Sequence, residues 1–239
     1  MQQLSTFSKN NFTNVGYEEI AFNKKIKDFL EKSCLTSSDD SKKWHLVDTL
    51  QDGATDISRY EYGEYIHELM VANEKLSNTA NGDYFIVPQF LLYQEPYSDE
   101  DLNQAGALVD DFSAKQSELR AKNNPKAKLY AVSLVKYSLP YRTQTSRTEL
   151  LQVLRQKQDR QPYVFLVTAE ANPMHLASFI LRAQEIDCVY HVDLSGLMEK
   201  AKKKEDNTAA DLLQGLIRNK RLKGISGLLL DLYEKQNNW

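Results

Sequence analysis

His191 and Asp193 stand two residues apart in an apolar run, Cys188 to Leu194, that reads as a β-strand. Residues two apart on a strand share a face. An imidazole beside a carboxylate can act as an oriented general base or contribute to a metal site. Glu170 follows the neighbouring apolar run, Tyr163 to Thr168, and is the third candidate. Glu170, His191 and Asp193 are therefore the residues that a hydrolase or transferase would use for acid–base work. Asn172 and the amides of the helix behind it would attract an anion. Other strand ends add Gln94, Glu95, Lys136 and Thr168. Polar residues also gather at strand ends because the chain leaves the core there, so spacing alone does not demand catalysis.

His175 followed by Asp193 resembles the order of histidine and acid in ubiquitin-like proteases and the related bacterial acetyltransferases. Those enzymes need a cysteine after the acid, and none follows Cys188. Without a thiolate there is no nucleophile to activate, which excludes an active enzyme of that type. A restriction-type nuclease would place an acidic residue two positions before a lysine on a strand. Leu134-Val135-Lys136 stands there instead, so that signature is absent. No Walker loop or dinucleotide-binding glycine turn occurs, and Gly224-Ile225-Ser226-Gly227 lacks a following lysine. Cys34 and Cys188 match no metal spacing. No metal site and no cofactor is read from these motifs.

One charge concentration is basic: Lys200, Lys202, Lys203 and Lys204, then Arg218, Lys220, Arg221 and Lys223. These residues form a candidate binding patch for an acidic partner or a phosphate backbone. Glu199, Glu205, Asp206 and Asp211 dilute it, and no aromatic residues interleave to stack bases. The 13 tyrosines, clustered at Tyr60, Tyr62 and Tyr65 and again at Tyr93 and Tyr97, suit a protein interface.

The elements that must position these residues follow from periodicity. Ile20, Phe22, Ile26, Phe29 and Leu30 form a helical stripe, and a second stripe runs from Ile57 to Leu76. Tyr84 to Tyr93 is β-branched and aromatic, with Pro88 inside it, which predicts an edge strand or a bulge. Ser98 with Asp101, and Ser146 with Glu149, are capping boxes that open helices. Leu129 to Tyr137 is a strand, and Tyr163 to Thr168 is apolar enough to be buried on both faces. Asn172-Pro173 supplies a helix N-cap and an N1 proline. Leu197 to Lys204 and the stretch after Asn207 read as helices; Gly224 to Leu232 fits either a strand or a helix. The alternation predicts an α/β three-layer sandwich with a mostly parallel sheet of four or five strands. Residues 1–80 form an N-terminal helical region packed on a body at 81–239.

The 239 residues, 41% hydrophobic and 26% charged, suffice for a substantial core without disulfides. A net charge of −3 gives no global attraction to nucleic acid or an anionic membrane. The polar start has no apolar signal segment, which predicts a cytoplasmic protein. With no catalytic signature found, the sequence favours a non-enzymatic protein-interaction or regulatory protein within a larger assembly. The alternatives are the strand-end hydrolase or transferase and a nucleic-acid-associated protein using the basic patch.

Overall fold

A computed structural model describes residues 15–35, 44–49, 60, 88–94, 127–139, 162–203 and 207–237. The stripe at Ile57–Leu76, apart from Tyr60, and the two helices expected after Ser98 and Ser146 lie outside them. Helix α1 (Val15–Leu35) precedes strands β1 (Trp44–Asp48), β2 (Phe90–Gln94), β3 (Leu129–Lys136) and β4 (Tyr163–Thr168). Then come α2 (Pro173–Arg182), β5 (Cys188–His191), α3 (Leu194–Lys202), α4 (Thr208–Arg218) and β6 (Leu222–Gly224). A single 3-10 turn, Ile225–Gly227, leads into α5 (Leu228–Asn237).

The strands form one sheet in the order β1-β2-β3-β4-β5-β6, so spatial order follows chain order. The pairs β3–β4, β4–β5 and β5–β6 are parallel, whereas β1–β2 and β2–β3 are antiparallel. The expected three-layer α/β sandwich is present, with six strands among the described residues rather than four or five. One apolar layer joins the sheet to α2, α3 and α4 through Leu176, Phe179, Leu197, Leu213 and Leu216. The opposite layer joins it to α1 and α5 through Phe22, Ile26, Leu30, Leu228 and Leu232.

Local chemistry explains most boundaries. All six residues of β4 are buried, as a strand with parallel neighbours and helices on both faces requires. Asn172 accepts from the amides of Met174 and His175, and Pro173 opens α2. The Gly224–Leu232 stretch resolves into both options, a strand end and then a helix.

Three expectations need correcting. Pro88 does not make β2 an edge strand; it precedes the strand, and β2 lies between β1 and β3. Its register does shift at Leu92/Tyr93, where the opposing residues jump from Ala131 to Leu129. Among the described strands the margins are β6 and β1, the latter five residues from the stretch assigned to a helical region. Tyr60 and Tyr93 do not offer an interface: both are buried and meet edge to face at 4.8 Å.

A polar chain ties α5 to the sheet. The Tyr163 and Tyr190 hydroxyls lie 2.8 Å apart. Tyr190 donates onward to Asp231 of α5, which also accepts from Lys223 at 2.6 Å. Lys235 completes the clasp, its ammonium 5.3 Å from the centre of the Tyr163 ring. Cys188 is buried as a small core residue, and burial pushes its thiol up to about 11.

Candidate active site

Because β1 and β3 run in one direction and β2 against them, one sheet edge gathers several termini. The ends of β1, β3, β4 and β5 emerge there together with the start of β2. Helix α1 presents Glu19, Asn23 and Lys27 at i, i+4 and i+8, a spacing that stacks side chains on one face. Glu19 Oε1 accepts from Lys136 Nζ at 3.1 Å, and its Oε2 accepts from the Tyr137 amide at 2.9 Å. At the other end of the stripe, Lys27 Nζ lies 3.2 Å from Asp48 Oδ2. Asp48 is buried, and its Oδ1 accepts from Gln89 Nε2 at 3.0 Å. Thr49 Oγ1 donates to the Pro88 carbonyl at 2.7 Å, fixing the approach to β2. Glu18 Oε2, Asn23 Oδ1 and Ser133 Oγ are buried without a hydrogen-bond partner among the described residues. Burial, reinforced by the Glu18 charge, raises the Tyr137 phenol, so that hydroxyl stays neutral.

A second group occupies the ends of β4 and β5. Glu170 is buried, and its Oε2 accepts from the Leu139 amide at 2.9 Å and the Ser138 hydroxyl at 3.3 Å. The same oxygen lies 3.2 Å from His175 Nδ1, while Oε1 accepts from the Asn172 amide at 2.8 Å. His191 Nδ1 accepts from the Asp193 amide at 3.1 Å, so its Nε2 carries the proton. That Nε2–H donates to the Glu170 carbonyl at 2.9 Å. Burial lowers the imidazole below its ordinary value despite the opposing carbonyl and Asp193 charge, which keeps it neutral.

The structure thus brings Glu170 and His191 together through a main-chain carbonyl rather than through the carboxylate. Asp193 does not share a strand face with His191, because β5 ends at His191. Asp193 instead caps α3, accepting from the Gly196 amide at 3.0 Å. These bonds fasten the turns after β3, β4 and β5 to one another.

The basic residues also separate. Arg221 donates to the carbonyls of Ile180 and Ala183 at 3.2 and 2.8 Å, capping the end of α2. Lys223 is committed to Asp231. Lys200, Lys202 and Lys203 around the end of α3, and Arg218 and Lys220 around the end of α4, are exposed. Lys204 lies outside the described residues.

Sequence reasoning missed Glu19 altogether and set Lys136 aside. The contact spans 117 positions of chain, beyond any local motif. The available signal was modest: a polar row at i, i+4 and i+8 beside the buried row Phe22, Ile26 and Leu30.

Two comparisons bear on this edge. A family model described as NgoMIV restriction enzyme matches residues 8–233. The type II restriction enzyme NgoMIV of Neisseria gonorrhoeae is 32% identical over 193 residues, covering 79% of this chain and 68% of that protein. These matches overturn the reading as a non-enzymatic interaction or regulatory protein and favour the hydrolase alternative. The acid-then-lysine spacing is indeed missing at Leu134-Val135-Lys136, and its absence does not exclude this family. The matched span runs through nearly every described element, and the chain belongs to the NgoMIV restriction enzyme family.

Proposed function

We propose that this chain is a type II restriction endonuclease that hydrolyses DNA phosphodiester bonds at the edge where Glu19 and Lys136 meet. The observation that supports the site is the 3.1 Å contact between a carboxylate from α1 and an ammonium at the end of β3. In the reaction, a water oxygen bonds to phosphorus, the bridging P–O bond breaks, and the departing oxygen takes up a proton from solvent water. The Lys136 ammonium stabilises the negative charge that grows on the phosphoryl oxygens, where fixed positive charge has most effect. The Glu19 carboxylate, held by the Tyr137 amide, fixes the Lys136 ammonium in place, and the attacking water gives up its proton to solvent.

Nucleases commonly hold divalent cations with clustered carboxylates. No group of three or more His, Cys, Asp or Glu side chains is placed to do so among the described residues. Both oxygens of Glu19 and both of Asp48 are already engaged by nitrogen donors. The described residues alone do not fit such a cation.

Glu170, His191 and Asp193 take a framing role in this reading, since their hydrogen bonds tie the strand ends together. Lys200, Lys202, Lys203, Arg218 and Lys220 supply phosphate contacts, with DNA as the partner in place of another protein. No described helix is long and apolar enough to cross a membrane. A cytoplasmic enzyme would meet its DNA there.

The test is cleavage of plasmid and phage DNA of varied sequence by the purified chain in magnesium buffer. Discrete fragments are expected, and Lys136→Ala should slow cleavage by about 100-fold or more, as loss of a charge-stabilising donor does. Intact DNA at every protein concentration, or a Lys136→Ala variant as fast as the parent, would overturn the reading.

A further inference from the structure

The geometry points to Lys27 and Asp48 as positioning residues of this site, an inference that rests on the proposed role of Glu19 and Lys136. The apolar face of α1, Phe22, Ile26 and Leu30, is fully buried against the sheet. Apolar contact is non-directional, so it holds the helix down without fixing where it lies along the strand ends. The polar row supplies the direction. Glu19 bonds the end of β3 and Lys27 bonds the end of β1, with β2 between them.

Eight residues of helix rise about 12 Å. Two strand spacings amount to about 10 Å. The row therefore crosses the edge from β3 to β1 with a contact at each end. At the middle of the row, Asn23 Oδ1 has no partner among the described residues. Asp48 is a firm anchor point: it is 2% exposed, and Gln89 Nε2 holds its other oxygen. Removing the Lys27–Asp48 pair takes away the anchor at the β1 end of the row, and the Glu19 carboxylate is then held less firmly relative to Lys136.

Lys27→Met and Asp48→Asn remove the ion pair, and Lys27→Arg retains it. Two readouts are taken on each full-length variant. One is the single-turnover cleavage rate beside DNA affinity; the other is acylation of the Lys136 amine by a water-soluble ester, followed by peptide mass spectrometry. The pair-breaking variants should cleave about tenfold to 100-fold more slowly at nearly unchanged affinity, the range expected for small misplacement of reacting groups. Their Lys136 should acylate faster than in the parent, whereas Lys27→Arg should behave as the parent in both measurements. Leu216→Ala, which loosens the opposite layer, should lower Tm without changing Lys136 acylation.

Should Asp48→Asn fail to fold, Lys27→Met still decides, because Lys27 is partly exposed. Parental Lys136 acylation in Lys27→Met would overturn the positioning role. So would unchanged cleavage by that variant while the parent cuts. A parent that cuts no DNA removes the endonuclease reading instead, and faster acylation would still support the anchoring of α1.

Discussion

Both nitrogens of the His191 ring are held by backbone groups, one as acceptor from Asp193 and one as donor to Glu170. A second proton on Nδ1 would break the Asp193 bond, and burial already lowers the folded-state value below 6.5. A lowered histidine contributes stability that is complete above its unfolded value and is lost as pH falls below it. The parent should therefore lose more Tm between pH 7 and pH 5 than His191→Gln; parallel Tm curves would remove this account. Gly196 offers a second residue-level test. A Cβ there would run into the Asp193 carboxylate that caps α3. Gly196→Ala should cost about 0.5–2 kcal/mol in urea unfolding, the usual loss on breaking an N-cap. Stability equal to the parent would show that the cap contributes nothing measurable.

Among the elements, α5 is held by a polar clasp as well as by apolar burial. Tyr190→Phe takes the hydroxyl between Tyr163 and Asp231 out of that chain. Its expected cost is about 1–3 kcal/mol, because a buried hydroxyl then loses its partner. Urea unfolding measures it, and a cost near zero would mean that Leu228 and Leu232 suffice. Elements were legible where local chemistry set them. Asn172-Pro173 announced α2, and the unbroken apolar run Tyr163–Thr168 announced β4. β1 was not legible, since Trp44–Asp48 is short and bordered by polar residues; only pairing with β2 makes it a strand. β2 was legible over Phe90–Tyr93, and the bulge option fits its register shift at Leu92/Tyr93; the edge option failed because Pro88 precedes the strand. The site was harder still. Glu19 belongs to a helix and Lys136 to a strand, so no period of either element could link them.

For the whole molecule, the two helical layers divide the work. The α1 layer brings Glu19 to the strand ends, while the exposed cations lie around the ends of α3 and α4 on the opposite layer. If those cations contact phosphates, DNA affinity should fall steeply with salt, by about 0.9 in log–log slope for each phosphate neutralised. Replacing Lys200, Lys202 and Lys203 by Glu should weaken binding and flatten that slope, read by fluorescence anisotropy over a salt series. An unchanged slope would place the phosphate contacts elsewhere. Sheet order adds a consequence for how the chain is made. Because spatial order follows chain order, none of the six described strands has to be inserted between two already in place. A nascent chain leaving the ribosome can dock each new strand on the edge left by the one before. The growing sheet then shows one fresh edge at a time, and the last, β6, has only three residues. An edge so short offers little template to a neighbouring chain, which guards the β6 side of the finished sheet against aggregation.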